Sequence, residues 1–291
     1  ALAKFGQLFL QKGRWNGKQL LPAAWVEEAS AFHIQQPGGD KPGRPKAEND
    51  WLQGYGYQFW RCQHGHYRGD GAFGQFTIVL PEHDAVVVMT SENKNMQGQL
   101  DLVWQHLLPA FKTGAPPAAN AGAGAEAKLA AALAALKLPL PQGRASSPVV
   151  ERIGGKTYQV EANALGITQV SFAFHGGRSE FTARTAAGSH VIRCGVGHWQ
   201  NGGSDLPGTP PRLISGGKPK TQPTSKVAAN AVWQDDSTLV MTWRYYETPH
   251  RDTVTCLFEG DRVSIRFLNS IAAMSDKPAD PRPELVGKLA G

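Results

Sequence analysis

Long apolar runs are the first thing this sequence lacks. Nothing in its 291 residues approaches the roughly 18 consecutive apolar residues of a membrane-spanning helix. The longest β-rich apolar run, Ala85 to Met89, has the length of a strand. Cysteine is scarce. Cys62, Cys194 and Cys256 are odd in number and far apart, which excludes a disulfide framework and gives no paired metal spacing. Cys194 and Cys256 stand in strand-like runs and read as small apolar core groups, so the redox compartment stays open. Charge of one sign is not concentrated either. Thirty Lys and Arg against 24 Asp and Glu leave a formal charge of +6, but the basic residues are scattered and not interleaved with aromatics, so nucleic acid is not an expected partner. The chain opens at Ala1 inside a helical pattern, with no initiating Met and no signal peptide, and is expected to be a piece of something longer. What is present is apolar mass: 41% hydrophobic residues, with 8 Trp and 12 Phe, too much for a disordered chain and enough for sizeable cores. The length fits two domains or one large one.

Along the chain, Leu2, Phe5 and Phe9 recur at helical spacing and Gly13 offers a stop. Arg14-Trp15-Asn16-Gly17-Lys18 reads as a tight turn, and a second short helix is expected after Pro22, with Trp25 and Val26 apolar and Glu27 and Glu28 exposed. His33 to Asp50 is polar and Pro/Gly-rich, an irregular loop. Three strand-like runs follow: Tyr55, Tyr57 and Phe59 up to Cys62; Phe73 to Leu80; and Ala85 to Thr90, nearly all apolar as a strand buried on both faces should be. Pro81-Glu82-His83-Asp84 turns between the last two, and Leu100, Val103, Trp104, Leu107 and Leu108 mark an amphipathic helix over Gln97 to Phe111. Short turns make the strands antiparallel.

Thr113 to Ala125 is Ala/Gly/Pro-rich and uncharged, a linker. A short Ala/Leu helix is expected over Glu126 to Leu138, stopped at Pro139. From Val149 the period changes to two: Tyr158 and Val160; Val170, Phe172 and Phe174; Ser179 to Thr185; His190 to Val196; Leu239, Met241, Trp243 and Tyr245; Val254, Cys256 and Phe258; Val263, Ile265 and Phe267. Gly176-Gly177, Ala187-Gly188 and Glu259-Gly260-Asp261 punctuate them as turns. Gln200 to Asn230 reads as one long Pro/Gly/Lys-rich loop. The expected fold is an α+β fragment over residues 1–112, an antiparallel sheet with packed helices; a linker with a short helix over 113–148; and an all-β antiparallel barrel or sandwich over 149–291.

The stretch that carries chemistry is Tyr67-Arg68-Gly69-Asp70-Gly71-Ala72-Phe73-Gly74-Gln75-Phe76. Glycines at a strand start let another backbone approach closely, and strand N–H groups facing a cleft stabilise an oxyanion; a β-bulge or bend explains such glycines equally well. In order with it stand Leu2-Ala3-Lys4-Phe5-Gly6-Gln7-Leu8-Phe9-Leu10-Gln11-Lys12-Gly13, Trp15-Asn16-Gly17-Lys18-Gln19-Leu20-Leu21-Pro22, Tyr55-Gly56-Tyr57-Gln58-Phe59-Trp60, and Val79-Leu80-Pro81-Glu82 followed by Asp84-Ala85-Val86-Val87-Val88. Together these blocks resemble the C-terminal third of the serine β-lactamase-like hydrolases, the family of class C β-lactamases, D-alanyl-D-alanine carboxypeptidases (penicillin-binding proteins) and related esterases. The resemblance covers a little over a third of the chain.

The resemblance implies a β-lactamase-like fold for residues 1–112 and a bacterial source, with the compartment open. It places Gly69-Asp70-Gly71 at the family's Lys-Thr-Gly strand, one wall of the active site, with the Ala72 N–H as oxyanion donor. Gly69 and Asp70 depart from the family's Lys or His and its hydroxyl residue, which argues for an ester or amide substrate other than a β-lactam or D-Ala-D-Ala. The family nucleophile, Ser in Ser-x-x-Lys at a helix start, and its Tyr-x-Asn partner belong upstream of Leu2, so the parent is expected to be a hydrolase and this chain alone inactive. No cofactor and no metal are implied. The family sheet continues past its last strand, here Ala85 to Thr90; without that neighbour the edge invites self-association or strand addition.

Ser91-Glu92-Asn93-Lys94 and Ser215-Gly216-Gly217-Lys218 repeat the nucleophile spacing by themselves; Ser91 directly precedes the expected helix, whereas Ser215 lies in the long loop. Cys62, His64 and His66 alternate and would share one face of a strand as zinc ligands, or form a solvated hairpin tip. Arg68-Gly69-Asp70 spells an adhesion tripeptide that the family resemblance already accounts for. His198-Trp199, Trp233 and Trp243 would line a barrel mouth or pack its core. Besides the hydrolase, two other readings are open: a non-catalytic β-barrel module that binds a small ligand or a partner, and a β domain that covers the hydrolase and restricts its substrates.

Overall fold

The structure, a computed structural model, describes residues 1–40, 43–111, 122–210 and 224–290. The chain divides into two compact units, Ala1–Ala135 and Leu136–Gly291.

In the first unit, helix α1 (Leu2–Leu10) ends where Lys12 and Gly13 turn left-handed, at φ 50° and 82°. A hairpin of β1 (Arg14–Trp15) and β2 (Lys18–Gln19) follows around Asn16-Gly17, both at positive φ, as a type I′ turn requires. Helix α2 (Ala23–Ser30) starts after Pro22. A four-stranded antiparallel sheet runs in the order β3 (Trp60–Arg61), β4 (Tyr67–Gly71), β5 (Gln75–Leu80), β6 (Ala85–Met89). The expected strand from Tyr55 to Cys62 shrinks to β3 and isolated bridges at Tyr55. Gly54 (φ 111°) and Gln58 (φ 66°) break the extended run on either side of it. The Phe73 to Leu80 run is likewise interrupted: Ala72 to Gly74 form a turn, and the strand begins at Gln75.

The doubly buried strand is β5. Phe76, Ile78 and Leu80 point to one face and pack with Leu100, Val103 and Trp104, while Val79 joins Phe9, Val26, Ala29 and Tyr67 on the other. Each such side chain stabilises by about 1.5–3 kcal/mol on full burial. Gly6 lets α1 lie directly on this sheet, because a Cβ there would stand 2.8 Å from Thr77 Cγ2. Strand β6, read from sequence as buried on both faces, is half-buried throughout and has β5 as its partner among the described residues. Helix α3 (Met96–Leu102) continues as a π-wound turn through Leu107. Helix α4 spans Gly122–Ala135, earlier than the expected Glu126 to Leu138. Most of the expected linker, residues 113–121, lies outside the described residues.

The second unit is a β-barrel. After the short helix α5 (Val150–Ile153) come β7 (Thr157–Val160), β8 (Gln169–His175), β9 (Arg178–Thr185), β10 (Gly188–Gly195), β11 (Gln200–Ser204), β12 (Ser225–Trp233), β13 (Thr238–Arg244), β14 (Arg251–Glu259), β15 (Arg262–Asn269), the turn of helix α6 (Ser270–Ala273) and β16 (Leu285–Leu289). The order β10-β9-β8-β7-β16-β15-β14-β13-β12 is antiparallel throughout. It closes through a parallel contact of Gly195 with Asn230, giving nine strands in the ring among the described residues, with β11 added beside β12. Asn230 Nδ2 seals the seam by donating to the carbonyls of Gly195 and His198, each at 2.9 Å. The span Gln200 to Asn230, expected to be one loop, therefore carries strands at both ends; residues 211–223 between them are not described.

Inward residues fill the ring. Tyr158, Phe172, Phe181, Trp233, Trp243 and Phe258 are at most 2% exposed, and Phe172 and Phe258 stack edge to face with ring centres 5.0 Å apart. This is a core, not an open lumen. Near it, Arg282 makes a two-pronged pair with the fully buried Asp252 (2.7 and 2.8 Å) and reaches Asp280 through Nε at 2.8 Å. Tyr245 Oη donates to Asp252 at 2.6 Å, and the Asn269 N–H donates to Asp280 at 2.7 Å. Burial alone would push Asp280 upward; the hydrogen bonds and charge of Arg282 outweigh it and hold that carboxyl down at about 2.

Candidate functional site

Gly69, Asp70 and Gly71 form the end of β4, paired with Thr77, Phe76 and Gln75 of β5. On its other side β4 pairs with β3 only at Tyr67 and Arg68. Gly69 to Gly71 therefore have a strand neighbour on one side and, among the described residues, none on the other. A side chain at Gly69 would meet only Thr77 Cβ, at 3.9 Å, so internal packing does not explain this glycine. Ala72 is exposed at the tip, second residue of a turn closed by Gly74 N–H donating to Gly71 O at 3.3 Å. Phe73, third in that turn, sits at φ 66°, where glycine is the usual residue and a bulky one is strained.

That strained tip is held from outside. Ser91 Oγ donates to the Phe73 and Gly74 carbonyls (2.7 and 2.9 Å) and accepts from Gln99 Nε2 (2.8 Å), while the Asn93 N–H donates to Phe73 O (3.0 Å). Gln75 Nε2 donates to Ser91 O. Ser91 is thus a clamp. Nor does it open the helix: α3 starts at Met96, capped by Asn95, whose Oδ1 accepts from the Gly98 N–H at 3.0 Å. Ser215 lies outside the described residues.

Asp70 turns away from the ledge to the same side as Arg68, two residues earlier. Its Oδ2 accepts from Arg68 Nε at 2.9 Å, with the two side chains 8% and 0% exposed. The guanidinium lies 4.7 Å from the Trp51 ring and donates to the carbonyls of Asp50 and Arg61. Burial pushes the Asp70 carboxyl up and the Arg68 charge pulls it back only in part. A buried ion pair cannot serve as an adhesion tripeptide. Asp50 anchors the neighbourhood: its carboxylate, fully buried, accepts from Gln63, Gln97 and Trp104.

Cys62, His64 and His66 do not share a strand face. A tight turn over Gln63–Gly65, with His64 at φ 59°, breaks the alternation. Cys62 is buried beside Arg68 Nη1, which donates to its Sγ at 3.3 Å, and burial pushes the thiol up to about 12. As a hairpin tip the segment is solvated in part: His64 and Gly65 are exposed, whereas Cys62 is buried and His66 is 1% exposed. Its ring centre lies 5.6 Å from His83 and 5.8 Å from Trp104, and burial, then His83 and His64, push it down to about 4. Among the described residues no group of three or more His, Cys, Asp or Glu is placed to hold a metal ion.

The barrel carries two features that residue patterns did not reveal. Thr185 Oγ1 lies 3.0 Å from His190 Nε2, and His190 Nδ1 lies 2.8 Å from Asp205 Oδ1, the order of a hydroxyl–imidazole–carboxylate relay. Thr185 Oγ1 also accepts the Ala187 N–H at 3.1 Å, so the line ties the β9–β10 turn to the segment after β11; hydrogen bonding from His190 lowers the Asp205 carboxyl. The second feature is a cavity of about 310 Å³ at one end of the barrel, bordered by Phe174, Ser179, Ala231, Trp233 and Leu239, with His175 and Arg178 at its rim. Of the expected mouth aromatics, Trp233 lines it, Trp243 is fully buried in the core, and Trp199 donates through Nε1 to Leu138 O at 3.2 Å.

No family model and no curated protein matches this chain. Among solved structures, a chain described as human cRBP IV is similar at 12% identity and a TM-score of 0.29, over 52% of this chain and 100% of that one. A score so low carries no inference about this chain's function.

Proposed function

We propose that residues 1–111 are the C-terminal part of a β-lactamase-like serine hydrolase, and that β4 is one wall of a site for acyl transfer from an ester or amide to water. The observation that carries this reading is the unpaired outer side of Gly69 to Gly71, where an extended substrate has room to lie. Ala72 at the clamped tip supplies the N–H for the oxyanion. The Ser-x-x-Lys nucleophile is contributed by a segment other than this chain, and β6 is the edge at which the rest of the hydrolase sheet, or a second copy, adds its strand. The test is the reading frame continued upstream of Ala1, assayed on p-nitrophenyl butyrate. Ala72→Pro deletes the N–H at a turn position that suits proline, and is expected to lower kcat by about 10²–10³ with KM little changed. Full activity in that variant overturns the reading.

The cavity at the end of the barrel favours a second reading for residues 136–290: a module that binds a small molecule. Its volume lies at the lower end of the about 300–1,000 Å³ of small-molecule sites.

A further inference from the structure

Resting on the second reading, we infer that the barrel-end cavity takes a small aromatic carboxylate, ring inward and anion at the rim. The floor is apolar and aromatic. Trp233 and Leu239 are 2% and 1% exposed, and the Phe174 and Trp233 rings stand 5.8 Å apart at 38°, a tilted pair whose faces suit an inserted ring. The interior beyond is filled by Phe258, 5.9 Å from Trp233 between ring centres. The ligand is therefore short, confined to the end of the barrel rather than threaded through it.

The polar groups converge on one sign of charge. His175 and Arg178 face each other across the Gly176-Gly177 turn as a cross-strand pair and border the cavity, which no Asp or Glu among the described residues lines. Arg178 is exposed and, among the described residues, has no carboxylate partner, unlike Arg193, held by Glu180 at 3.0 Å, and Arg262, held by Glu161 at 3.2 Å. One step inward, Ser179 is 3% exposed and lines the cavity, with its hydroxyl turned to the Cys194 thiol. Its cross-strand neighbour is Cys194, whose thiol is a weak acceptor. The guanidinium at the lip selects a carboxylate over a neutral group.

The probes are phenylacetate and its neutral isostere phenylacetamide, titrated into the full chain and followed by the Trp233 indole N–H and the Gly176 and Gly177 amides in ¹H–¹⁵N spectra. Phenylacetate is expected to shift these signals and to bind at least tenfold tighter than the amide. Arg178→Gln, an exposed change that leaves the core intact, is expected to weaken the acid at least tenfold and leave the amide unchanged. Equal affinity of acid and amide, or an acid affinity untouched by Arg178→Gln, overturns the inference while the binding module stands. No shift from either probe at millimolar concentration overturns both.

Discussion

The two units solve the same problem in opposite ways. Each is built on antiparallel strands, and every sheet must account for the N–H and C=O groups of its outermost strands. The barrel disposes of them by closure: β10 meets β12, and Asn230 caps the seam with its side-chain amide. Among the described residues, the sheet of the first unit leaves two stretches open, β6 along its length and the outer side of Gly69 to Gly71. On the readings proposed above, closure suits a region that binds at a cavity at its end, and openness suits a region that takes a substrate on one side and further strands on the other.

The comparison breaks most visibly at the buried arginines. Arg282→Met strands Asp252 and Asp280, both nearly inaccessible, and is expected to destabilise the barrel by about 3–5 kcal/mol in urea unfolding followed by barrel amide signals. The same change at Arg68, which pairs with one carboxylate, is expected to cost less, about 2–3 kcal/mol. Next in size is an effect of pH on the first unit. His66 is held at about 4 in the fold, below the ordinary value near 6.5. Above pH 6.5 neither state binds the proton. Between about 6.5 and 4 the unfolded chain binds it and the fold does not, so stability falls by up to about 1 kcal/mol per pH unit and levels off below. His66→Gln is expected to flatten that slope for amides of β5 and α3 while barrel amides keep theirs.

Openness itself is tested at β6. Val88→Lys places a charge on the unpaired edge and is expected to reduce self-association in sedimentation velocity, at a cost of about 1 kcal/mol or less; an unchanged sedimentation coefficient means the edge is not where copies meet. The smallest effect is expected at the clamp. Ser91→Ala removes the hydroxyl that fixes Phe73 and Gly74 and is expected to cost about 1 kcal/mol, with faster amide exchange at the hairpin tip. A fluorophosphonate probe is expected to leave Ser91 unlabelled.

Much of the architecture was legible because short-range chemistry dictates it. Asn16-Gly17 calls for a tight hairpin and forms one, and the period-two runs from Tyr158 to Phe267 become ring strands with their large members inside. The failures are equally physical. Polar, glycine-bearing Gln200–Ser204 and small-residue Ser225–Trp233 carry weak strand patterns and become strands because β13 and closure of the ring pair them. Tyr55 to Phe59 has the pattern without the pairing, since Gln58 and Gly54 take left-handed backbone. The glycine ledge was visible as residues; its open side is a property of the β3–β4 register, which no local pattern contains. Ser91 looked like chemistry by spacing and serves as a clamp because its partners, Phe73 and Gln99, come from other elements. The barrel-end cavity joins Phe174, Ser179 and Trp233, brought together only by closure.

The ring is threaded so that its ends meet. Its first strand, β7, and its last, β16, are hydrogen-bonded neighbours, with Gly287 opposite Val160 and Leu289 opposite Tyr158. The ring of strands thus starts and finishes at one place. Such a module can be spliced into a host loop, or its ends rejoined and new ones cut at the Gly260 turn, without dismantling the hoop of strands.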